Sequence, residues 1–296
     1  MSRTRCPTSN SWSSARYLVL LQDASRTSNR MAGPPWRKVR LSMPISSGTI
    51  KFISSLRQKK MRQNYHKFTA EGGRIVGELL DQRRYAVDRV YALEAWVRQR
   101  PDAADLPITT VSPKELARIS QLTTPNEVLA VVDLPQFPEQ LPPDMAGGWS
   151  LYLDGVQSPS NLGALLRIAD WFGFAHVIGG PGTADLYNSK SIQASMGSFL
   201  RIHYQTGTLA AITDQFPELP VFGADLSGEN IYGITPPEHG LLVVGAEGPG
   251  ISEGARAQVQ RWLHIPRAAA RDTESLNVAV AAGILCGGLR FGGIKR

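Results

Sequence analysis

The chain has 296 residues and 42% apolar content, which is enough for two ordinary domains with hydrophobic cores. Its formal net charge of +7 belongs to residues 1–42, with eight Lys or Arg against one Asp, whereas the remaining residues carry 24 basic and 24 acidic groups, so bulk charge does not argue for a polyanion partner. The chain has two cysteines, which fits a reducing, cytoplasmic compartment. Its five histidines are scattered, which disfavours a metal site. No apolar run reaches the ~20 residues that a membrane helix needs.

Residues 1–42 are rich in Ser, Thr and Arg and show no sustained periodicity. That composition is typical of a disordered basic arm or a transit peptide. We prefer a third interpretation, in which translation starts at Met43, just before the first regular pattern. Mass spectrometry of the natural N-terminus distinguishes these alternatives.

Residues 47–133 alternate between helical and extended patterns, which predicts a small α/β domain. The sequence from Ser112 to Glu115 combines a capping box with a proline at the first helical position, and therefore predicts a helix start. The other predicted elements are a helix through Ile50, Ile53 and Leu56, a helix over 75–80, a strand over 87–93 and a buried strand at 127–132.

A basic cluster follows the first of these helices, with no acidic residue between its members. Its six members are Lys51, Arg57, Lys59, Lys60, Arg62 and Lys67. The cluster predicts an RNA-binding surface, although a solvated helix face explains the charge equally well.

Residues 134–148 are rich in Pro and Gly and are predicted to be a linker, followed by a second α/β domain at 149–296. Strands are predicted at 150–154, 175–178, 220–224, 241–245 and 262–265, and helices near 161–172, 208–216, 252–260 and 276–289. Strands that alternate with helices indicate a parallel sheet, whose ligands bind beyond the carboxyl ends of the strands. Neither a dinucleotide-binding nor a P-loop glycine motif is present.

Three stretches of the second domain carry a more specific signal. They read LDGVQSPSNLGALLRIADWFGF from Leu153, VVGAEGPGIS from Val243 and IPRAAARDTESLNVAVAAGIL from Ile265. Their content and order resemble the three signature motifs of the SpoU (TrmH-like) RNA ribose 2′-O-methyltransferases of the SPOUT class. The N-terminal FTAEGGRIVGELL resembles the start of the ribosomal-protein-like RNA-binding domain that often precedes the catalytic one.

The resemblance covers nearly all of residues 150–290 and implies both a fold and an activity. The fold would be a C-terminal α/β methyltransferase domain with a parallel sheet and a trefoil knot, preceded by the smaller RNA-binding domain. The enzyme would be a homodimer that transfers a methyl group from S-adenosyl-L-methionine (AdoMet) to a ribose 2′-hydroxyl of rRNA or tRNA, without a metal.

The matching catalytic residues are Asn161, Arg167, Glu247, Ser275 and Asn277. Since an arginine stays protonated, we expect Arg167 to hold the neighbouring phosphate and to stabilise the developing alkoxide. We expect Glu247 to orient an arginine, and Asn161 to lie at the start of a helix. Ser275 and Asn277 would begin the last helix, with Ser275 a natural cap.

The family pattern further assigns AdoMet binding to Gly245, Ile265 and Leu276, and adds Ser195 and Gly197, which match a further segment of the family, as cofactor-binding candidates. Two positions depart from the family pattern, since Arg267 replaces a methionine and Ala269 replaces a glycine. The loop is also two residues longer, because Ser275 stands ten positions after Ile265 rather than eight.

Three alternatives stay open at this point. A catalytically silent RNA-binding relative would keep the fold, and a SPOUT enzyme that methylates a base would share it. A generic nucleotide-binding α/β enzyme is the third alternative, but the chain lacks its phosphate motif.

Overall fold

The structure is a computed structural model that describes residues 44–100, 102, 105–136, 140–268 and 275–292. The basic segment 1–42 and Met43 lie outside the described residues, so the expectations about them are not addressed. The described residues form two β-sheets, one before and one after the segment predicted to be a linker.

The first sheet is mixed and has the strand order β1-β4-β2-β3. The β4 strand pairs antiparallel with β1 and β2, and β2 pairs parallel with β3. The elements of this domain are α1 (Ser47–Ser55), α2 (Lys59–Tyr65), β1 (Lys67–Glu71), α3 (Gly73–Gln82), β2 (Val87–Ala92), α4 (Glu94–Arg98), β3 (Ile108–Thr110), α5 (Pro113–Ile119) and β4 (Val128–Asp133).

The capping box that predicted the start of α5 is present with both of its hydrogen bonds. The Ser112 hydroxyl accepts from the Glu115 amide, and Glu115 Oε2 accepts from the Ser112 amide at 2.9 Å. The basic cluster, in contrast, extends over two helices, α1 and α2. Arg62 Nη1 donates to the carbonyl oxygens of Leu56 and Arg57, which satisfies backbone acceptors at the end of α1.

The second sheet has six strands in the order β10-β8-β9-β5-β6-β7, and every neighbouring pair is parallel. This confirms the predicted parallel sheet. The elements are β5 (Trp149–Asp154), α6 (Pro159–Phe172), β6 (His176–Gly179), α7 (Ser189–Ser195), β7 (His203–Thr206), α8 (Leu209–Gln215), β8 (Val221–Asn230), β9 (Gly240–Gly245), α9 (Glu253–Arg256), β10 (Arg261–His264) and α10 (Val278–Phe291).

The two sheets share one hydrophobic core. Phe68 and Tyr85 of the first domain pack on Phe199 of the second, with ring centroids 6.3 Å and 5.8 Å away. Phe68 also contacts the ring of Tyr187 at 4.7 Å. A buried ion pair joins the domains as well, since Arg62 Nη2 lies 2.5 Å from Asp185 Oδ2.

The central strands of the second sheet are β9 and β5, and their carboxyl ends lie side by side. Asp154 is paired with Gly245 in the register of these two strands. Each strand is followed by a loop that carries one of the signature motifs. The topology therefore brings two distant motifs to one edge of the sheet.

Candidate active site

The loop after β9 is a tight turn that depends on its glycines. Ala246 and Gly250 exchange two backbone hydrogen bonds of 3.1 Å. A Cβ on Gly245 would lie 2.2 Å from the carbonyl carbon of Gly250, so no larger residue fits there. Gly248 and Gly250 adopt φ values of +93° and +72°, which favour glycine. The turn leaves Glu247 at its tip.

Glu247 lies at the centre of a three-residue cluster. Its Oε1 accepts hydrogen bonds from Asn161 Nδ2 at 2.9 Å and from Asn277 Nδ2 at 2.7 Å. Asn277 Nδ2 also lies 3.2 Å from Asn161 Oδ1. Hydrogen bonds from amides to a carboxylate are charge-assisted and hold the three side chains in one arrangement.

Helix starts fix both amides. Asn161 is in the first turn of α6, where its backbone N–H donates to the hydroxyl of the N-cap residue Ser158 at 3.4 Å. Asn277 is itself the N-cap of α10, and its Oδ1 accepts from the amides of Ala279 and Val280. Because the cap uses the oxygen of Asn277, its Nδ2 is left to donate to Glu247.

Asp154 binds the backbone just after the glycine turn, and no functional role was predicted for it from the sequence. This residue ends β5, is 8% exposed, and accepts a 2.6 Å hydrogen bond from the amide of Ser252. The hydrogen bond ties the first motif to the end of the second. The sequence did contain a signal for this role, namely a single aspartate directly after the apolar run of β5. A carboxylate buried at the end of a central strand needs a hydrogen-bond partner.

Comparisons with known proteins agree with this geometry. Residues 148–287 match the SpoU rRNA methylase family, and residues 48–130 match the MRM3-like substrate binding domain. The chain is 30% identical to the 23S rRNA (guanosine(2553)-2'-O)-methyltransferase RlmP of Bacillus subtilis over 81% of this chain and 95% of that protein.

The chain belongs to the SpoU rRNA methylase family. The family, the enzyme class and the α/β fold class predicted from the sequence are therefore confirmed. A TrmH-family protein of Porphyromonas gingivalis has a similar structure, with a TM-score of 0.75 and 38% identity over 83% of this chain and 98% of that one. The fold also matches the SpoU methyltransferase AviRb of Streptomyces viridochromogenes, with a TM-score of 0.71 and 21% identity over 82% and 97% of the two chains.

The structure brings together three of the five SpoU motif residues predicted to be catalytic. Arg167 lies in the middle of α6 and is exposed, with no hydrogen bond or ion pair to any described residue. The expected pairing of Glu247 with an arginine is absent from the described residues, and its Oε1 accepts from two amides. Ser275 is exposed, and the cap role that we expected for it belongs to Asn277.

The residues assigned to AdoMet differ in their surroundings. Gly245 starts the glycine turn, Ile265 is half-buried and Leu276 is 47% exposed beside Asn277. Residues 269–274 of the longer loop, which include Ala269, lie outside the described residues.

Ser195 and Gly197 have packing roles in the SpoU domain. Ser195 is fully buried, and its hydroxyl donates to the carbonyl of Ile192 at 2.7 Å. A Cβ on Gly197 would lie 2.6 Å from Glu78 Oε2 of the first domain. The expectation that this segment binds the cofactor is therefore wrong for the Ser195 side chain, because that side chain faces the interior.

The basic cluster divides into free and occupied cations. Lys51, Lys59 and Lys60 are exposed and make no hydrogen bond or ion pair with any described residue. Arg57 donates to the Ser120 carbonyl at 2.6 Å, and Lys67 is paired with Asp88 and Asp133. Arg62 is 2% exposed, and its guanidinium donates to the Leu56 carbonyl at the end of α1 and to Asp185. The prediction that Arg62 lies on an RNA-binding surface was therefore wrong.

Two further findings concern only the described part of the chain. No helix there is long and apolar enough to cross a membrane. No group of three or more His, Cys, Asp or Glu side chains there could hold a metal ion.

Proposed function

We propose that this chain methylates a ribose 2′-hydroxyl of ribosomal RNA, with Asn161, Glu247 and Asn277 at the centre of its site. As a member of the SpoU family the chain is an AdoMet-dependent RNA 2′-O-methyltransferase. Its Bacillus subtilis relative is named as an enzyme that methylates a guanosine ribose of 23S rRNA. The observation that carries the proposal is the cluster of Asn161, Glu247 and Asn277 at the middle of the carboxyl edge of the sheet.

The binding of AdoMet would use Gly245, Ile265 and Leu276. The backbone of the glycine turn offers polar groups for the adenine edge, and the two apolar side chains would cover the ring. When bound, AdoMet supplies an electrophilic methyl group for the ribose oxygen. Because this displacement needs no metal, the task of the protein is to place the hydroxyl and to stabilise the charge that develops on it.

Glu247 has one carboxylate oxygen left for the substrate. Its Oε1 is held by two amides, whereas Oε2 makes no hydrogen bond with any described residue. This geometry would let Oε2 accept a hydrogen bond from the ribose hydroxyl and orient it. Arg167, exposed on the same helix as Asn161, would hold the adjacent phosphate, and Ser275 would line the entrance beside Asn277.

The proposal extends to a homodimer in the cytoplasm. The helices α6 and α10 pack against each other and expose Trp171, Val280 and Phe291 at 83%, 52% and 55%. Exposed apolar side chains of this size on neighbouring helices favour an interface. The RNA substrate and the free thiol of the buried Cys286 both support a reducing cytoplasmic compartment.

The test is to map 2′-O-methyl groups in total RNA from a strain with the gene and a strain without it. One ribose methylation should be missing without the gene, and the purified chain should restore it with AdoMet. Arg167→Ala should abolish methyl transfer while AdoMet binding, measured by calorimetry, stays unchanged. A restored methyl group on a base, or no methylation of any RNA, would contradict the proposal.

A further inference from the structure

A cavity lies at the carboxyl edge of the second sheet, beside the ends of β6 and β7. The cluster of Asn161, Glu247 and Asn277 lies at the same edge, at the ends of β5 and β9. The cavity has a volume of about 480 Å³ and is lined by Lys59 and Gln63 of α2, by residues 183–187 after β6 and by residues 204–206 of β7. Ligand pockets in proteins commonly have volumes of about 300–1,000 Å³. The cavity is therefore large enough for a nucleotide, and both domains contribute to its wall.

The wall contains a buried hydroxyl without a partner. Tyr204 is 6% exposed, and its hydroxyl makes no hydrogen bond with any described residue. In contrast, the Tyr152 hydroxyl in the same sheet accepts from the amide of Leu209 at 3.1 Å. Native proteins satisfy almost all buried polar groups, and Tyr204 is one of the residues that line the cavity, so its unpaired hydroxyl points to a ligand nearby. Burial raises the pKa of Tyr204, so this hydroxyl stays protonated and can donate.

The backbone is shaped around this hydroxyl. A Cβ on Gly179 would lie 2.2 Å from the Tyr204 oxygen, so a glycine there makes room for the tyrosine. The opposite wall is fixed as well, because the carboxylate of Asp185 accepts from Arg62 at 2.5 Å and from the Tyr187 amide at 3.0 Å. These contacts neutralise the charge of Asp185 and hold the walls of the cavity in place.

The remaining wall groups fit a nucleotide. Lys59 is exposed at the rim and provides a cation for a phosphate. Gln63 and Thr206 provide side-chain donors and acceptors of the kind that read the edge of an unstacked base, and Thr183, whose hydroxyl donates to the Leu153 carbonyl at 2.8 Å, can still accept. A cavity with one cation, one buried hydroxyl and several amide or hydroxyl groups has the chemistry of a nucleotide site.

The position of the cavity relates it to the methylated ribose. Strand β7 is two strands away from β5, and neighbouring strands are about 4.8 Å apart, so the cavity starts about 10 Å from the end of β5. Stacked nucleotides advance about 3.4 Å each, so this distance corresponds to about three nucleotides or fewer.

We propose that this cavity, the flanking-nucleotide pocket, binds one unstacked nucleotide of the RNA within about three positions of the methylated ribose. The inference rests on the proposed function and goes beyond it, because it assigns part of the choice of target sequence to a pocket built by both domains. Recognition of single-stranded RNA commonly uses splayed bases of this kind.

The kinetic test uses the full chain and RNA from a strain that lacks the gene. Thr206→Trp fills the mouth of the pocket and should raise the KM for RNA about tenfold or more while the Kd for AdoMet stays unchanged. Tyr204→Phe removes one hydroxyl and should raise KM about 2- to 10-fold, as expected for one hydrogen bond. The controls are Thr206→Ser, which keeps the pocket open, and Arg98→Trp, which adds the same ring on α4. Unchanged KM in both pocket variants would overturn the proposal.

A cross-linking test locates the nucleotide directly and does not depend on a substitution at Thr206. A photoreactive benzophenone amino acid in place of Gln63, which is exposed on α2 at the rim, should cross-link to a nucleotide within about three positions of the methylated one, as read by sequencing. Cross-links at distant or scattered positions, from a protein that still methylates its RNA, would overturn the pocket alone. An unmodified chain that methylates no RNA would instead overturn the proposed function.

Discussion

The catalytic cluster shows how one side chain can have two separate tasks. Asn277 caps α10 with its oxygen and holds Glu247 with its nitrogen. The two tasks act on different quantities, because the cap stabilises the helix whereas the nitrogen positions a carboxylate of the site. Substitutions at Asn277 should therefore separate stability from activity.

Asn277→Ser should keep the cap and lose the donor, because a serine oxygen also caps a helix but brings no amide nitrogen to Glu247. We expect a fall in the methylation rate of roughly 100-fold, comparable to the loss of one donor in other active sites, with little change in the free energy of unfolding. Asn277→Ala loses both functions and should also cost about 1 kcal/mol of stability. Methylation assays and urea unfolding measure the two effects. An active Asn277→Ser enzyme would show that the bond to Glu247 is dispensable.

A second residue, His176, should make stability depend on pH. Its burial holds its pKa below the ordinary value of 6.5, and repulsion from His203, whose ring stacks at 5.2 Å, adds to this effect. Asp144, 3.6 Å from Nε2, opposes it but does not outweigh it. The unfolded chain therefore binds a proton more readily, and stability should fall as the pH drops through 6.5.

Urea unfolding at pH 7.5 and at pH 5.5 measures this loss. His176→Gln should lose less stability between the two pH values than the unmodified chain. The exposed His66 offers a control, since His66→Asn should leave the pH dependence as it is. Equal pH dependence in His176→Gln and the unmodified chain would remove His176 as the cause.

At the scale of elements, helix α2 is the part of the basic cluster that offers free charge. Lys59 and Lys60 are exposed at its start, whereas Arg62 on the same helix is buried in the domain interface. One short helix thus has an outer face suited to RNA and an inner face that holds the domains together.

Charge reversal of Lys59 and Lys60 together should weaken RNA binding and flatten its dependence on salt. Each phosphate contact with single-stranded nucleic acid contributes a slope of about −0.7 in log K against log salt, so the slope should fall by about 1.4. Filter binding at several salt concentrations measures it. Arg98→Glu, on α4, is the matched control, since Arg98 is exposed and paired with Glu94. An unchanged slope would take α2 off the RNA surface.

Elements with a strong periodic pattern were predictable and the short polar ones were not. The buried strands β5 and β9 and the helices α6 and α10 follow their apolar patterns closely. Strand β7 reads HYQT and helix α7 reads SKSIQAS, and neither has an apolar period to detect. The motif order identified the site because three motifs had to occur together, whereas the burial of Arg62 depends on Asp185, 123 positions later.

At the scale of the whole molecule, the ion pair between Arg62 and Asp185 should contribute to the stability of both domains together. The side chains are 3% and 20% exposed, so removal of the arginine leaves a largely buried carboxylate without its partner. Arg62→Ala should cost about 3 kcal/mol of unfolding free energy, as for other broken buried pairs.

Urea unfolding with probes in each domain measures this cost. Both probes should report one shared transition at a lower urea concentration. Arg98→Ala, which breaks an exposed pair, should cost less than about 1 kcal/mol. Two separate transitions would show that the domains unfold independently.

The aromatic side chains of Phe68, Tyr85, Tyr187 and Phe199 meet across the domain boundary, and this contact limits how such an enzyme can acquire a new target. A foreign RNA-reading module grafted in front of residue 134 would leave Phe199 and Tyr187 facing water. A change of RNA target should therefore come from substitution of a few exposed side chains on α2 and around the mouth of the flanking-nucleotide pocket. The packing between the domains therefore favours evolution in which both domains are inherited together and substitutions accumulate at the exposed RNA-facing residues.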